Sequence, residues 1–281
     1  MNFGKSIRIF LIEGDSNSRW VCELSNWTGK AYKIPRTMVK SSSDREELTH
    51  TGIYFLFGKN DEDGSNQVYI GEAENIYDRL NQHLSSKEFW TECIVFISKD
   101  DHLNKAHIKY LESRIYSIAR EANRYQLMNR TIPTQSSLSE ADCAEMEEFI
   151  ENTKLLMSAL GHKVLEPAID YSNNKENDDY FYIHAIRGAN AKGKPVVDGF
   201  AVTKGSAIAT QVTTSMSASL RKLRKDLIAT NIIDDNYIFT KDRIFSSPSL
   251  AASIVMGRNA NGRTAWKNKD GKTLKSIETE K

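Results

Sequence analysis

The strongest constraint on this chain is a change of hydrophobic period between residues 52 and 84. Two short apolar runs, Gly52-Ile53-Tyr54-Phe55-Leu56-Phe57 and Gln67-Val68-Tyr69-Ile70-Gly71, flank Asn60-Asp61-Glu62-Asp63-Gly64-Ser65-Asn66, a cluster of turn formers. That arrangement predicts an antiparallel strand pair. Immediately afterwards Ile76, Leu80 and Leu84 recur at a spacing of four, the period of an amphipathic helix over residues 75–84. The chain switches here from sheet to helix.

Residues 92–98 read as a third strand, and residues 103–124, with Ile108, Leu111, Ile115, Ile118 and Ala119 on one side, read as a long helix. Residues 51–124 are therefore expected to form a β-β-α-β-α unit. Upstream, residues 6–12 and 20–24 flank the turn formers Gly14-Asp15-Ser16-Asn17-Ser18, which predicts a strand pair within a β-rich N-terminal extension, residues 1–50. Downstream, Ser139 can cap a helix running to Leu160 and ending at Gly161, apolar at Met146, Phe149, Ile150, Leu156 and Leu160 and acid-rich on the other face. Residues 171–179 are polar and without periodicity, so a linker and a domain boundary are expected near residue 175. Strands over 180–187, 196–203 and 236–240, helices over 215–229 and 249–256, and a last short strand at Trp266 are expected beyond it. The fold class is α/β (α+β): a small domain over 51–135, an acidic helical connector over 136–175 and a basic α+β domain over 176–281. A length of 281 residues suits two domains of roughly 100–200 residues each.

The net charge of +1 hides opposed segments. Residues 1–135 carry 18 basic and 18 acidic side chains, residues 136–179 carry 3 and 11, and residues 180–281 carry 17 and 8. A basic end behind an acidic middle is the asymmetry expected of a chain that meets a polyanion. No apolar run approaches the roughly 18 residues of a membrane span, so a soluble, cytoplasmic protein without a membrane partner is expected. Cys22, Cys93 and Cys143 form no C-x-x-C pair, which argues for inert thiols over a disulfide framework or a zinc site.

Chemistry is concentrated in one constellation. Gly52-Ile53-Tyr54 and Tyr69-Ile70-Gly71 lie on the two paired runs, and Arg79 and His83 lie four apart on the helix that follows. Glu112 stands in the long helix, and Asn129 follows its end. Any one of these is ordinary alone, since apolar-aromatic strands beside turns are common, a helical glutamate is usually a solvated surface residue and His83 could be a packing residue. In this order and spacing they resemble the GIY-YIG nuclease superfamily over residues 51–135. The long insertion at Asn60–Asn66 departs from the pattern and lengthens the hairpin.

The resemblance implies a phosphodiester hydrolase. Glu112 would bind a single divalent ion, Mg²⁺ or Mn²⁺, for which hard oxygen ligands and several waters are suited. Arg79 would contact the scissile phosphate through a guanidinium that stays charged at any working pH. Tyr54 or Tyr69 would relay or accept the proton of the attacking water, with Arg79 and His83 as the groups able to assist a phenol whose free pKa is near 10. Asn129 would position the active-site hydrogen bonds. Lys105 and Lys109 could line the groove beside Glu112 or simply occupy an exposed helix face.

In the basic end, Leu220, Leu223, Leu227 and Ile228 form an apolar stripe, and Arg221, Lys222, Arg224 and Lys225 are expected on the remaining faces, free to lie against phosphates. Phe245-Ser246-Ser247-Pro248-Ser249, Gly257-Arg258-Asn259-Ala260-Asn261-Gly262 and the following Arg263 and Trp266 are similar to a domain of unknown function found behind GIY-YIG domains and in restriction-modification proteins. That company implies a DNA-recognition module, with Arg258 and Arg263 as further DNA contacts. The expected whole is a metal-dependent DNA endonuclease in restriction or defence, with a homodimer as one way to cut both strands. Two alternatives stand beside it: a DNA-binding or regulatory protein with a vestigial nuclease fold, and a structure-specific repair nuclease.

Overall fold

The structure is a computed structural model that describes residues 4–61, 64–167 and 180–280. The chain divides into two compact units, residues 1–167 and 168–281. The linker expected over 171–179 lies outside the described residues.

The first unit opens with strands β1 (Ile7–Leu11), β2 (Trp20–Leu24) and β3 (Gly29–Pro35), then three short 3-10 turns. Strands β4 (Gly52–Lys59) and β5 (Asn66–Ala73) lead into helix α1 (Ile76–Ser86), strand β6 (Trp90–Ser98), helix α2 (Lys105–Ala122), strand β7 (Gln126–Leu127) and helix α3 (Glu140–Ala159). The strands make one sheet in the order β1-β2-β3-β6-β4-β5-β7, antiparallel throughout except for the β5–β7 pair. The β-β-α-β-α unit expected from periodicity is present.

Pleating divides the apolar residues of each strand between the two faces of the sheet. On one face Tyr54, Leu56, Val95 and Ile97 pack with Ile76 and Leu80 of α1. On the other, Ile53, Phe55, Val68, Ile70 and Phe96 pack with Ile108, Leu111 and Ile115 of α2 and with Met146, Phe149 and Ile150 of α3. Side chains at the two ends of the β4–β5 hairpin are thereby fixed relative to both helices.

Strand β3 of the β-rich extension pairs along its whole length with β6 and brings its hairpin into the central sheet. Helix α3, in the acidic helical segment, packs on the same unit. Its apolar face closes the core, while Glu147 accepts hydrogen bonds from Tyr110 (2.9 Å) and Arg114 (2.6 Å) of α2. The sequence pattern hides β3 behind Lys30 and Lys33, whose charges are met by Glu47 at 2.9 Å and Glu92 at 3.0 Å.

The second unit holds strands β8 (Phe181–His184), β9 (Asn190–Val196), β10 (Gly199–Val202) and β11 (Arg243–Phe245), in the order β11-β10-β9-β8, all antiparallel. Helices α4 (Ala218–Ala229), α5 (Pro248–Met256), α6 (Gly262–Ala265) and α7 (Leu274–Glu280) complete it. Trp266 is fully buried against Phe200, with ring centroids 4.6 Å apart, and its Nε1 donates to Pro248 O at 3.0 Å. The strand expected at 236–240 is instead a turn. Asp234 Oδ1 accepts from the backbone N–H of Asn236 (3.0 Å) and Ile238 (2.8 Å), Tyr237 takes φ +63°, and only single bridges form at Ile238 and Phe239. At Trp266 there is likewise no strand, since the residue ends α6 and its neighbour Lys267 makes single bridges to Tyr182 and Thr273.

Candidate active site

Tyr54 of β4 and Gly71 of β5 are register partners, and Tyr69 pairs with Leu56 two positions along. Both tyrosines therefore face the α1 side of the sheet. Gly71 is a steric requirement: a Cβ there would lie 2.4 Å from Tyr54 Oη and 2.5 Å from Cζ. The glycine leaves room for the phenol to lie over the partner strand.

Helix α1 begins at Asn75, whose side chain accepts from the Asp78 N–H at 3.0 Å. Ile76, Leu80 and His83 face inward, and Arg79 lies on the flank of that face. His83 is no surface residue, being 4% exposed with its Nε2 2.7 Å from Tyr54 Oη. Arg79 Nε donates to the same phenol at 3.3 Å, and its Nη1 donates to Gln82 at 3.0 Å. Burial, followed by the cations Arg79 and Lys87, lowers the His83 pKa to about 4, so the ring is neutral near pH 7. A neutral ring has one N–H. With Nδ1 facing Ser86 Oγ at 3.4 Å, the consistent assignment has Tyr54 donating to a bare Nε2 and Arg79 donating to Tyr54.

Tyr54 is fully buried, and burial first, then neighbouring Tyr69, pushes its phenol far above the ordinary value. Tyr69 differs in access, being half-buried with its ring edge on His83 at 5.4 Å and Lys87 Nζ 4.1 Å above its centroid. Burial, Arg130 and Arg79 in turn depress the Lys87 pKa. Lys87 and Arg130 thus add to a positive region at the mouth of the site that the sequence pattern did not single out; a basic residue one turn beyond His83 was the available signal.

Glu112 lies on the flank of α2, half-buried, and its carboxylate accepts no hydrogen bond from any described residue. Burial, reinforced by Glu72 and opposed by Arg79 and Lys109, raises its pKa to about 7. A half-buried carboxylate without a donor and next to a second carboxylate fits a hard divalent cation. No group of three or more metal-ligating side chains forms among the described residues, so such an ion would rest on Glu112, with Glu72 nearby, and on water.

Asn129 follows β7 and pairs with Ile70 as a strand residue would. Its Oδ1 accepts from Ile70 N at 3.1 Å and its Nδ2 donates to Ile70 O at 2.7 Å. It anchors the strand between Tyr69 and Gly71. Lys105 is paired with Glu74 at 2.6 Å.

The cations expected to meet DNA divide in the structure. Lys222, Lys225 and Arg258 are exposed. Arg263 is exposed but paired with Glu278 at 2.7 Å, and Arg221 donates to Met216 O (2.8 Å), Thr213 O (3.3 Å) and Thr214 O. Arg224 is a correction: it is 4% exposed and its guanidinium donates to Ile254 O and Ala209 O, so it cannot reach a phosphate.

A strand pair with two facing tyrosines, a helix presenting arginine and histidine, and a second helix presenting a glutamate make up the candidate site. Residues 50–131 match the GIY-YIG catalytic domain family, and residues 181–278 match a domain of unknown function, DUF4357; the chain carries both domains in that order. No curated protein and no solved structure matches the chain. None of its helices, among the described residues, is long and apolar enough to cross a membrane.

Proposed function

We propose that the chain is a metal-dependent DNA endonuclease that hydrolyses phosphodiester bonds, acting in restriction or defence against foreign DNA. The observation that carries this reading is the Arg79–Tyr54–His83 network, built on the buried Tyr54 and His83, beside Glu112, whose carboxylate is held near pKa 7. A carboxylate raised by burial and left without a donor, beside a guanidinium with donors to spare, is the pattern expected of a binding or catalytic site.

Arg79 spends Nε and Nη1 on Tyr54 and Gln82, which leaves Nη2 for a phosphate oxygen. Lys87 and Arg130 extend the positive surface along which a DNA backbone can lie. Tyr69, the more accessible phenol of the two, relays the proton of the attacking water, accepting it on Oη as its own phenolic proton passes to solvent, while the buried Tyr54 orients Arg79 and His83. Glu112 would hold the divalent ion, which when bound supplies positive charge to the phosphorane-like transition state and the departing oxygen. The basic second domain adds long-range attraction to the DNA, with Lys222, Lys225 and Arg258 as exposed contributors.

The test is cleavage of plasmid DNA in Mg²⁺ or Mn²⁺ by the wild type and by Glu112→Ala. Cutting by the wild type alone supports the reading, and equal cutting, or none by either, overturns it.

A further inference from the structure

The second unit contains a cavity of about 860 Å³ bounded by β8, the turn after α5, helix α6 and residues 267–271. Its size falls within the roughly 300–1,000 Å³ of small-molecule sites. Arg258, Lys267 and Lys269 line it, all exposed, and among the described residues no carboxylate does. Tyr182 and His184 stand two apart on β8, hence on the same face, with rings parallel to within 5° and centroids 6.2 Å apart.

The walls are tied in place. Asn259 Nδ2 donates to Ser215 O at 2.9 Å, Asn268 Oδ1 accepts from the N–H groups of Asp270 (3.0 Å) and Lys272 (2.9 Å), and Lys267 pairs through its backbone with Tyr182. These bonds hold Asn259, Asn268 and Lys267 in place, and the two rings and three cations line the cavity. Flat aromatic surface beside three exposed cations, with the neighbouring Asp270 carboxylate held by Asn268 Nδ2 at 3.2 Å, suits a ligand that is planar at one end and anionic at the other.

From this placement we infer that the cavity binds an unpaired nucleotide of a DNA strand, its base stacked on Tyr182 and His184 and its flanking phosphates on Arg258, Lys267 and Lys269. Bases inside a duplex present only their edges, whereas a strand end, a bulge or an extruded nucleotide offers a face for stacking. The second domain then reads DNA through a nucleotide taken out of the helix, beyond the phosphate contacts expected from α4. This inference rests on the nucleic-acid reading of the first domain, but its test does not require cleavage.

The test is fluorescence anisotropy of the full chain in EDTA, with a labelled single-stranded deoxyoligonucleotide and with a blunt duplex of the same sequence. The single strand is expected to bind more tightly. Tyr182→Ala and His184→Ala should each weaken its binding by about tenfold, the scale of losing one stacked base, with little effect on the duplex, and Tyr182→Phe should retain it. Both alanine variants alter solvent-accessible side chains, and matching thermal melts would establish that they fold. Unchanged single-strand affinity in both, or equal losses for strand and duplex, overturns the cavity assignment. Because EDTA removes cleavage from the readout, a wild type that binds in this way but never cuts DNA would overturn the nuclease reading alone.

Discussion

Tyr54 Oη lies 2.7 Å from His83 Nε2, a bond between a phenol and an imidazole that are both withdrawn from water. Its direction follows from charge. With Arg79 and Lys87 nearby, the imidazole stays neutral and accepts, so the phenol oxygen keeps its lone pairs toward Arg79. One buried hydrogen bond thereby orients the guanidinium assigned to the scissile phosphate.

The two tyrosines should separate on mutation. Tyr54→Phe strips His83 Nε2 and Arg79 Nε of their shared partner and is expected to cost about 1–3 kcal/mol of stability together with most of the cleavage rate. Tyr69→Phe removes a half-exposed hydroxyl and should abolish cleavage with the melting temperature unchanged. Denaturant unfolding and a plasmid cleavage assay on each variant would show the split.

Gly71→Ala forces a methyl group to within 2.4 Å of Tyr54 Oη. The ring is enclosed between strand and helix, so relief requires it to leave His83. The expected cost is about 1–3 kcal/mol from overpacking, with cleavage reduced alongside. Urea titration of the variant measures the first and single-turnover cleavage the second.

His83 gives the fold a pH dependence of defined sign. Its pKa falls from an ordinary 6.5 to about 4 in the folded chain, so the unfolded chain binds the proton more readily. The contribution is fully present above pH 6.5 and is lost progressively as pH falls through about 4. Thermal melts should show a larger decline from pH 7 to pH 5 in the wild type than in His83→Gln, which cannot titrate there.

The sequence made the hairpin, α1 and α2 legible because each buries one face, and a one-sided core imposes its period on the residues. Arg79 and His83 were singled out by the family resemblance, through their spacing after the second strand, and not by the period of the core. Strands β3 and β9 were not. Lys30 and Lys33 of β3, and Lys192 and Lys194 of β9, stand where alternation alone suggests loop, and their charges are absorbed by Glu47, Glu92 and the Tyr180 ring, partners distant in sequence or outside the pattern. Arg224 was misplaced by its charge, although it lies four residues after Leu220 and three before Leu227, a spacing that sets it on the buried face.

Arg224 consequently predicts a stability effect where a DNA contact was expected. Arg224→Met fills similar space but leaves the Ile254 and Ala209 carbonyls without a donor, at an expected cost of about 1–3 kcal/mol. Lys222→Ala and Lys225→Ala on the exposed face should leave stability within about 0.5 kcal/mol. Chemical denaturation of the three variants distinguishes the buried cation from its exposed neighbours.

Glu112 carries the opposite sign to His83. Its pKa rises from an ordinary 4.5 to about 7, through burial and the proximity of Glu72, so the folded chain holds this proton more tightly than the unfolded one. The contribution to stability is fully present below pH 4.5 and lost as pH rises through 7. At pH 8 the fold therefore carries a half-buried negative charge that it would be more stable without, and Glu112→Gln, which keeps the shape and removes the charge, should melt at a higher temperature than the wild type there and by a smaller margin at pH 5. A divalent cation on the carboxylate offsets the same cost. Adding Mg²⁺ or Mn²⁺ at 100 times its dissociation constant should stabilise the wild type by about 2.7 kcal/mol and leave Glu112→Gln unmoved. Calorimetry of both proteins at pH 8, with and without metal, reads the two effects together, and equal metal shifts in the two would place the ion elsewhere.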